Sequence, residues 1–500
     1  MLGRLARPDG VLLLTVVLAA SVRFWRLGGQ AFWFDEYVTT QVVARPLGEL
    51  LSAVAHREGT PPLYFLATWG WIRLFGDSDV AIRSFSAVVG TATAPVVYAL
   101  ASSVVGTRRS ARVAALLIAV SPMAVWYSQE ARAYALLLFL GALSLLFLAR
   151  AIERRATSDL LAWGCVSAAA VMTHYFALVL VVTEVAWLVV AQRARRRALV
   201  RSLSIACIPF VLVLTPLLVL ALGQRATNQQ AWIDKFPRAL RLAEAGRHFA
   251  LGPGEPDDRL LIVSALCVLA AGAIVVVRGS NRERRAAAVM AGLGLAGVGL
   301  PLLAGVVGPD YFIGRNVIAS LAPLTVAVAA GLGARRAGLP GVVAIVGVCV
   351  LSLAVVVAVA TNLDFQKPNW RAVGTALGTR EPPGAVIVQN YLGTPLVRYM
   401  SGSRLLREGE SFDVQRIDVV YHVPNFGRRC GRWSGLACEF FYFPRFPEQL
   451  TSRFTLTDKI SVAGFVVNRY ESGVPVRLST RELLGDRLPG GLVVASPPNP

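Results

Sequence analysis

Long apolar stretches, broken by short arginine-rich intervals, run through the first 360 residues of the 500-residue chain. A helix that crosses a bilayer needs about 20 mostly apolar residues. Stretches of that character lie at about 11–27, 81–105, 111–126, 133–151, 159–175, 176–192, 199–222, 259–277, 286–307, 316–333 and 340–360. The pattern predicts eleven transmembrane helices. A shorter apolar stretch, 61–76, carries Arg73 among aromatic residues and is read as a helix lying along the membrane surface. Past residue 361 the apolar runs shorten and polar residues intersperse them. There Trp370–Leu377 reads as a helix, and 385–389, 417–422 and 459–469 read as strands, predicting a small α/β domain. The expected division is 1–365 for the membrane domain, with its first outer loop at 28–80, and 366–500 for the soluble one; the tail PPNP is read as disordered.

Composition agrees, with 55% hydrophobic and 16% charged residues, both displaced from soluble-domain averages toward membrane proteins. The formal charge of +20 is carried largely by arginine clusters between apolar segments. That placement marks cytoplasmic loops and argues against nucleic acid as a partner. With Arg4 and Arg7 inside, the clusters Arg108/Arg109/Arg112, Arg154/Arg155, Arg193–Arg201, Arg278–Arg285 and Arg335/Arg336 all fall on the cytoplasmic side. The loops at 28–80, 126–132, 174–175, 223–258 and 308–315, and everything after 361, then lie outside. The apolar start is read as an uncleaved first helix, because ten further segments follow in register with it. Cys165, Cys207, Cys267 and Cys349 lie in apolar segments; Cys430 and Cys438 lie in the exported region, where a disulfide is chemically permitted.

The outer loops carry the candidate chemistry. FWFDEYVTT sets Asp35 and Glu36 among four aromatic residues, and desolvation there would raise a carboxylate's pKa and strengthen it as a base. The alternative is a hydrated loop holding two acids. SPMAVWYSQEARAYAL places Glu130 and Arg132 at the mouth of two helices, facing a cavity or each other. THYF offers His174 and Tyr175, as phosphate ligand and proton donor or as edge residues bonded to a neighbour. PDYFIGRN offers Tyr311 and Arg315, a guanidinium suited to bidentate phosphate recognition or to lipid headgroups. KPNWRAV places Lys367, Trp370 and Arg371 near the surface, where capping and anchoring serve equally well. No Walker loop, GxSxG or HExxH occurs.

Together FWFDEYVTT, TPPLYFLATWGWIRLFGDSDVAIRSFSA, SPMAVWYSQEARAYAL, FIGRNVIASLAPL and KPNWRAV resemble the integral-membrane glycosyltransferases of the GT-C superfamily. The likeness is to the bacterial branch related to protein O-mannosyltransferases and the lipid A aminoarabinose transferase, over about residues 10–375. Two positions depart from the pattern: Thr60 stands where a histidine is expected before PPLY, and Asn316 where a tyrosine is expected after the arginine. The resemblance implies a membrane all-α bundle, a polyprenyl-phosphate sugar donor, and transfer at the outer face of the plasma membrane to a glycan, lipid or protein acceptor. On that basis Asp35 is the general base of an inverting transfer. Arg315 and His174 stabilise the departing phosphate, and Glu130 positions a substrate or holds Arg132. Asp35, Glu36 and Glu130 also offer oxygen donors to a divalent metal, but no ligand spacing decides for one and no metal is assigned.

Two other functional classes fit the composition. A flippase for lipid-linked sugars would share the membrane character, although no pair of interrupted helices repeats between the halves. A non-catalytic scaffold would use the soluble domain to hold an envelope partner. The identity of the sugar, the acceptor and the oligomeric state are set by shape and are not legible here.

Overall fold

The computed structural model describes residues 9–226, 232–233, 236–254, 259–378, 384–388, 391–422, 446, 450–484 and 492–495. In chain order the helices are α1 (Gly10–Phe24), α2 (Phe34–Val43), α3 (Leu47–Arg57), α4 (Leu63–Phe75), α5 (Asp79–Val104), α6 (Arg108–Val120), α7 (Pro122–Ser128), α8 (Tyr134–Arg154), α9 (Thr157–Thr173) and α10 (Ala177–Gln192). They continue with α11 (Arg196–Ala226), α12 (Arg238–Leu251), α13 (Arg259–Arg278), α14 (Asn281–Val307), a 3₁₀ turn Gly314–Ser320, α15 (Leu321–Leu332), α16 (Gly338–Thr361) and α17 (Trp370–Leu377). A helix therefore stands at every one of the eleven predicted membrane positions. Among the described residues seven stretches are long and apolar enough to cross a membrane, or eight with the bent pair α6–α7 as one span; α1 and α10 are shorter apolar helices. The protein is a multi-pass membrane protein, and its eleven crossings stay an expectation.

Contacts group the chain into two compact units, one of residues 1–27 and 41–359, the other of residues 28–40 and 360–500. In the helical unit one apolar core joins α5, α6, α8, α14 and α15. Small residues bring helices close: a Cβ on Gly164 of α9 would stand 2.4 Å from the Ala206 carbonyl oxygen of α11. The break between α6 and α7 has a definite cause. Pro122 supplies no N–H, so the Ile118 carbonyl loses its helical donor, and the two helices bend by 55°. Ser121 recaps the new helix at Ala124 N. Arg23 of α1, 1% exposed, donates to the stranded carbonyls of Ile118 at 3.2 Å and Ala119 at 2.8 Å, and to Ser128 Oγ at 3.1 Å. A second polar tie lies between α8, α9 and α10, where Glu184 Oε2 accepts from Ser144 Oγ and Trp163 Nε1.

Two of the segments between apolar runs hold more structure than hydropathy suggests. The segment 28–80 contains α2, α3 and α4; α4 agrees with the helix expected at 61–76. The stretch 223–258, expected to be a loop, contains α12. Its weakly amphipathic sequence RALRLAEAGRHFAL is too charged to register as an apolar run, and tertiary packing holds it helical through buried Arg241, Ala245 and Leu251.

The second unit is built on a six-stranded mixed sheet: β1 (Gly384–Val388), β2 (Arg404–Leu405), β3 (Ser411–His422), β4 (Thr455–Val462), β5 (Phe465–Ser479) and β6 (Leu492–Ala495), with α18 (Thr480–Leu484) after β5. The order is β2-β6-β1-β3-β5-β4, with β1 and β3 parallel. One face packs Val386, Val388, Val420 and Val467 against Trp370, Val373 and Leu377 of α17, which Asn369 caps at Ala372 N. The single strand expected at 459–469 is a hairpin instead. Ala463 and Gly464 both take positive φ, 46° and 82°, and make the two-residue turn that matches strand twist. Cys430, Cys438, Arg4, Arg7 and the PPNP tail lie outside the described residues.

Candidate active-site residues

Within the helical unit, four of the residues singled out from the sequence gather around Tyr134, at the start of α8. The His174 ring lies 6.0 Å from the Tyr134 ring, and the Arg315 guanidinium carbon lies 5.8 Å from it and 5.6 Å from the Trp232 ring. Arg132, two residues before Tyr134, donates to Glu58 Oε2 from both terminal nitrogens at 3.4 Å. Glu130 accepts from Trp126 Nε1 at 3.2 Å and is buried. Tyr127, its ring 4.9 Å from that of Tyr134, lies within electrostatic reach of Glu130, Arg315 and Glu244.

His174 occupies the turn between α9 and α10. Its Nδ1 accepts from the Phe176 N–H at 3.3 Å, which leaves the proton of the neutral ring on Nε2. Burial first, and then the charges of Arg132 and Arg315, push its pKa down to about 3. The imidazole is therefore neutral at physiological pH and keeps its donor within electrostatic reach of both guanidiniums. Tyr175, in the same turn, donates to Gln224 Oε1 at 2.8 Å, and burial raises its pKa to about 12. Gln224 in turn donates to the carbonyls of Val54 and Thr60.

The loop that presents Arg315 is held from below. Asp310 is clamped by Arg241 Nη2 at 2.6 Å and by Arg238 Nε at 2.7 Å, and these guanidiniums hold its carboxyl down at about 2. Arg241 also donates to the Phe312 carbonyl at 2.9 Å, and Asn316 Nδ2 donates to the Tyr311 carbonyl at 2.9 Å. The open groove beside this clamp, about 320 Å³, is lined by Phe236, Pro237, Arg238, Arg241, Gly308 and Asp310.

The remaining candidates belong to the second unit. Asp35 and Glu36 fall in the first turn of α2, where a carboxylate complements the helix N-terminus. Neighbours in sequence, they differ in environment. Glu36 is wholly buried and pairs with Lys367 Nζ at 3.1 Å, whereas Asp35 is half-buried. Lys367 also lies 5.7 Å from the Trp33 ring, and its backbone N–H donates to Gln30. Arg371 donates to the Gly28 carbonyl at 3.0 Å and stands over the Tyr399 ring; Tyr399 hydroxyl accepts from the Phe32 N–H. Trp370 is a core residue, its ring 4.6 Å from that of Phe465. Among the described residues no three His, Cys, Asp or Glu side chains stand together as metal ligands.

Glu58, Tyr134, Trp232 and Asp310 did not stand out in the sequence. Glu58 had one signal, a carboxylate just before PPLY; the others are ordinary-looking residues until the fold brings them together. His56, near the position where a histidine was expected, is exposed and bonds the Ser52 carbonyl.

Residues 59–220 match the family model described as dolichyl-phosphate-mannose-protein mannosyltransferase. The fold is similar to that of ArnT from Cupriavidus metallidurans bound to undecaprenyl phosphate, with a TM-score of 0.57 and 11% identity, over 92% of this chain and 98% of that one. The oligosaccharyltransferase of Archaeoglobus fulgidus matches at a TM-score of 0.48 and 13% identity, over 75% of this chain and 57% of that one. No curated protein sequence matches. The apolar helical bundle with its small C-terminal mixed sheet thus has an ArnT-like fold, and residues 59–220, about a third of the chain, are similar to the mannosyltransferase family model.

Proposed function

We propose that the protein transfers a sugar from a polyprenyl-phosphate donor to an acceptor outside the cytoplasm, with inversion at the anomeric carbon. The observation that carries this reading is the Tyr134 cluster: a buried, neutral His174 with its proton on Nε2, within electrostatic reach of Arg132 and Arg315. Such a set of donors suits a phosphate monoester whose charge grows as the glycosidic bond breaks. Arg315 and His174 stabilise that departing phosphate. Arg132 is held by Glu58, and Glu130 positions a substrate hydroxyl. Tyr175, Tyr311 and Arg371 shape and brace the segments that carry these groups.

Asp35 is the general base, removing the acceptor hydroxyl proton as its oxygen attacks the sugar. The contrast with Glu36 supports the choice, because a carboxylate sealed against Lys367 is poorly suited to accept a proton from substrate. The arginine clusters support an orientation with the N-terminus in the cytoplasm and Asp35, Glu130, His174 and Arg315 outside, in the plasma membrane. The lipid tail needs only an apolar surface along the helices, so recognition is confined to the head.

The test is release of labelled sugar from a polyprenyl-phosphate donor by purified protein in detergent, with Arg315→Met beside the wild type. Wild-type consumption of donor, reduced ~10²–10³-fold in the variant, is the expected result. Movement of intact donor across vesicles without consumption would identify a flippase, and neither outcome would leave a scaffold; both would sink the transferase reading.

A further inference from the structure

The sheet of the second unit buries more positive than negative charge at one place. Arg416 and Asp418 lie two residues apart on β3, so their side chains share a face. Arg469 of β5 stands directly across from Asp418. Asp418, 1% exposed, receives Arg469 Nε on Oδ1 at 2.8 Å, while Arg416 Nε approaches Oδ2 at 3.2 Å. The Arg416 side chain is 7% exposed and that of Arg469 18%. One carboxylate thus serves two guanidiniums.

Hydrogen bonding is incomplete to match. Arg416 Nε and Nη2 and Arg469 Nη2 are all buried without a hydrogen-bond partner among the described residues; the Arg416 Nε contact is close enough for charge attraction but misaligned for a hydrogen bond. Among the described residues the other carboxylates across from these arginines are Glu471, opposite Arg416, and Asp458, opposite Arg469 on β4. Neither forms an ion pair with these arginines. Asp458 is exposed and accepts from the Lys459 N–H. A buried guanidinium that is neither charge-matched nor hydrogen-bonded is strongly disfavoured, and a planar fork of donors is completed best by a second oxyanion.

We propose that Arg416 and Arg469 form a binding site for a small oxyanion, a phosphate or carboxylate group, with Asp418 holding the two guanidiniums in place. The ligand's oxygens accept from Arg416 Nη2 and Arg469 Nη2, and its charge offsets the surplus. The proposal is independent of the sugar-transfer reading. It gives the C-terminal unit a chemical preference, for ligands that carry an acidic group.

The experiment uses the full chain in detergent and follows hydrogen–deuterium exchange in peptides covering β3 and β5. Inorganic phosphate, acetate and chloride are compared at equal ionic strength. Slower exchange that saturates with phosphate, with acetate or with both supports the site, and the ranking tells which oxyanion it prefers. Arg469→Met should weaken the apparent affinity roughly tenfold or more. Protection by neither anion beyond chloride, or unchanged phosphate protection in folded Arg469→Met, overturns the proposal.

Discussion

The charged groups around Tyr134 and those at the start of α2 are built on opposite plans. At α2, Glu36 and Lys367 face each other at 3.1 Å, and both side chains are sealed from solvent. Around Tyr134, Arg315 is half-buried above the faces of two aromatic rings, and His174 is kept uncharged by burial and by the charges of Arg132 and Arg315. A closed pair satisfies itself and holds the chain in one shape. Cations seated over aromatic faces are attracted by a few kcal/mol at most. The comparison separates charge satisfied within the fold from the charge proposed to serve chemistry, and on that proposal it divides even the adjacent residues Asp35 and Glu36.

The largest test of that division is Asp35→Asn. Loss of a general base lowers turnover by ~10²–10⁴-fold, and the variant should keep the wild-type unfolding temperature. Turnover near normal in a folded Asp35→Asn protein would remove the residue from the mechanism. Glu36→Gln should behave in the opposite manner, leaving Lys367 buried beside a neutral partner and costing about 3–5 kcal/mol of stability. The double variant Glu36→Gln/Lys367→Met should recover much of that loss, read from thermal or denaturant unfolding of the three proteins. Strict additivity would mean that the pair does not act as a unit.

The smallest effect concerns acid. His174 has a folded pKa near 3 against an ordinary value of 6.5, so the unfolded chain binds its proton first as pH falls. Stability from this residue is intact above about pH 6.5 and declines by up to ~1.4 kcal/mol per pH unit between there and 3. His174→Gln should flatten that part of the stability–pH curve. Activity, in contrast, should show no titration of His174 between pH 5 and 8, and an acid limb abolished by His174→Gln would place the imidazole in a different protonation state.

Much of the architecture was legible because lipid imposes a simple rule. About 20 apolar residues must run uninterrupted to satisfy every backbone group inside a bilayer, and each such run became a helix. The helix α12 escaped notice for the same reason, since its arginines and glutamate break the apolar run while its burial is set by neighbours. The hairpin turn at Ala463–Gly464 escaped too, because Ala463 is an unusual residue for positive φ. At the candidate site, residue types could be chosen from outer loops, but partners could not. That Arg132 meets Glu58, that Glu36 meets Lys367, and that Trp370 is core rather than surface depend on contacts between segments tens or hundreds of residues apart.

From the sequence alone came the membrane bundle, its loop chemistry, the small C-terminal α/β unit and the family likeness, because hydropathy and local motifs act over short stretches of chain. The tertiary structure alone decided which carboxylate is sealed and which stays accessible, which histidine tautomer is held, and where arginines outnumber their counter-charges. Those are matters of distance and burial in three dimensions, and electrostatic energy depends on both far more steeply than it depends on residue identity.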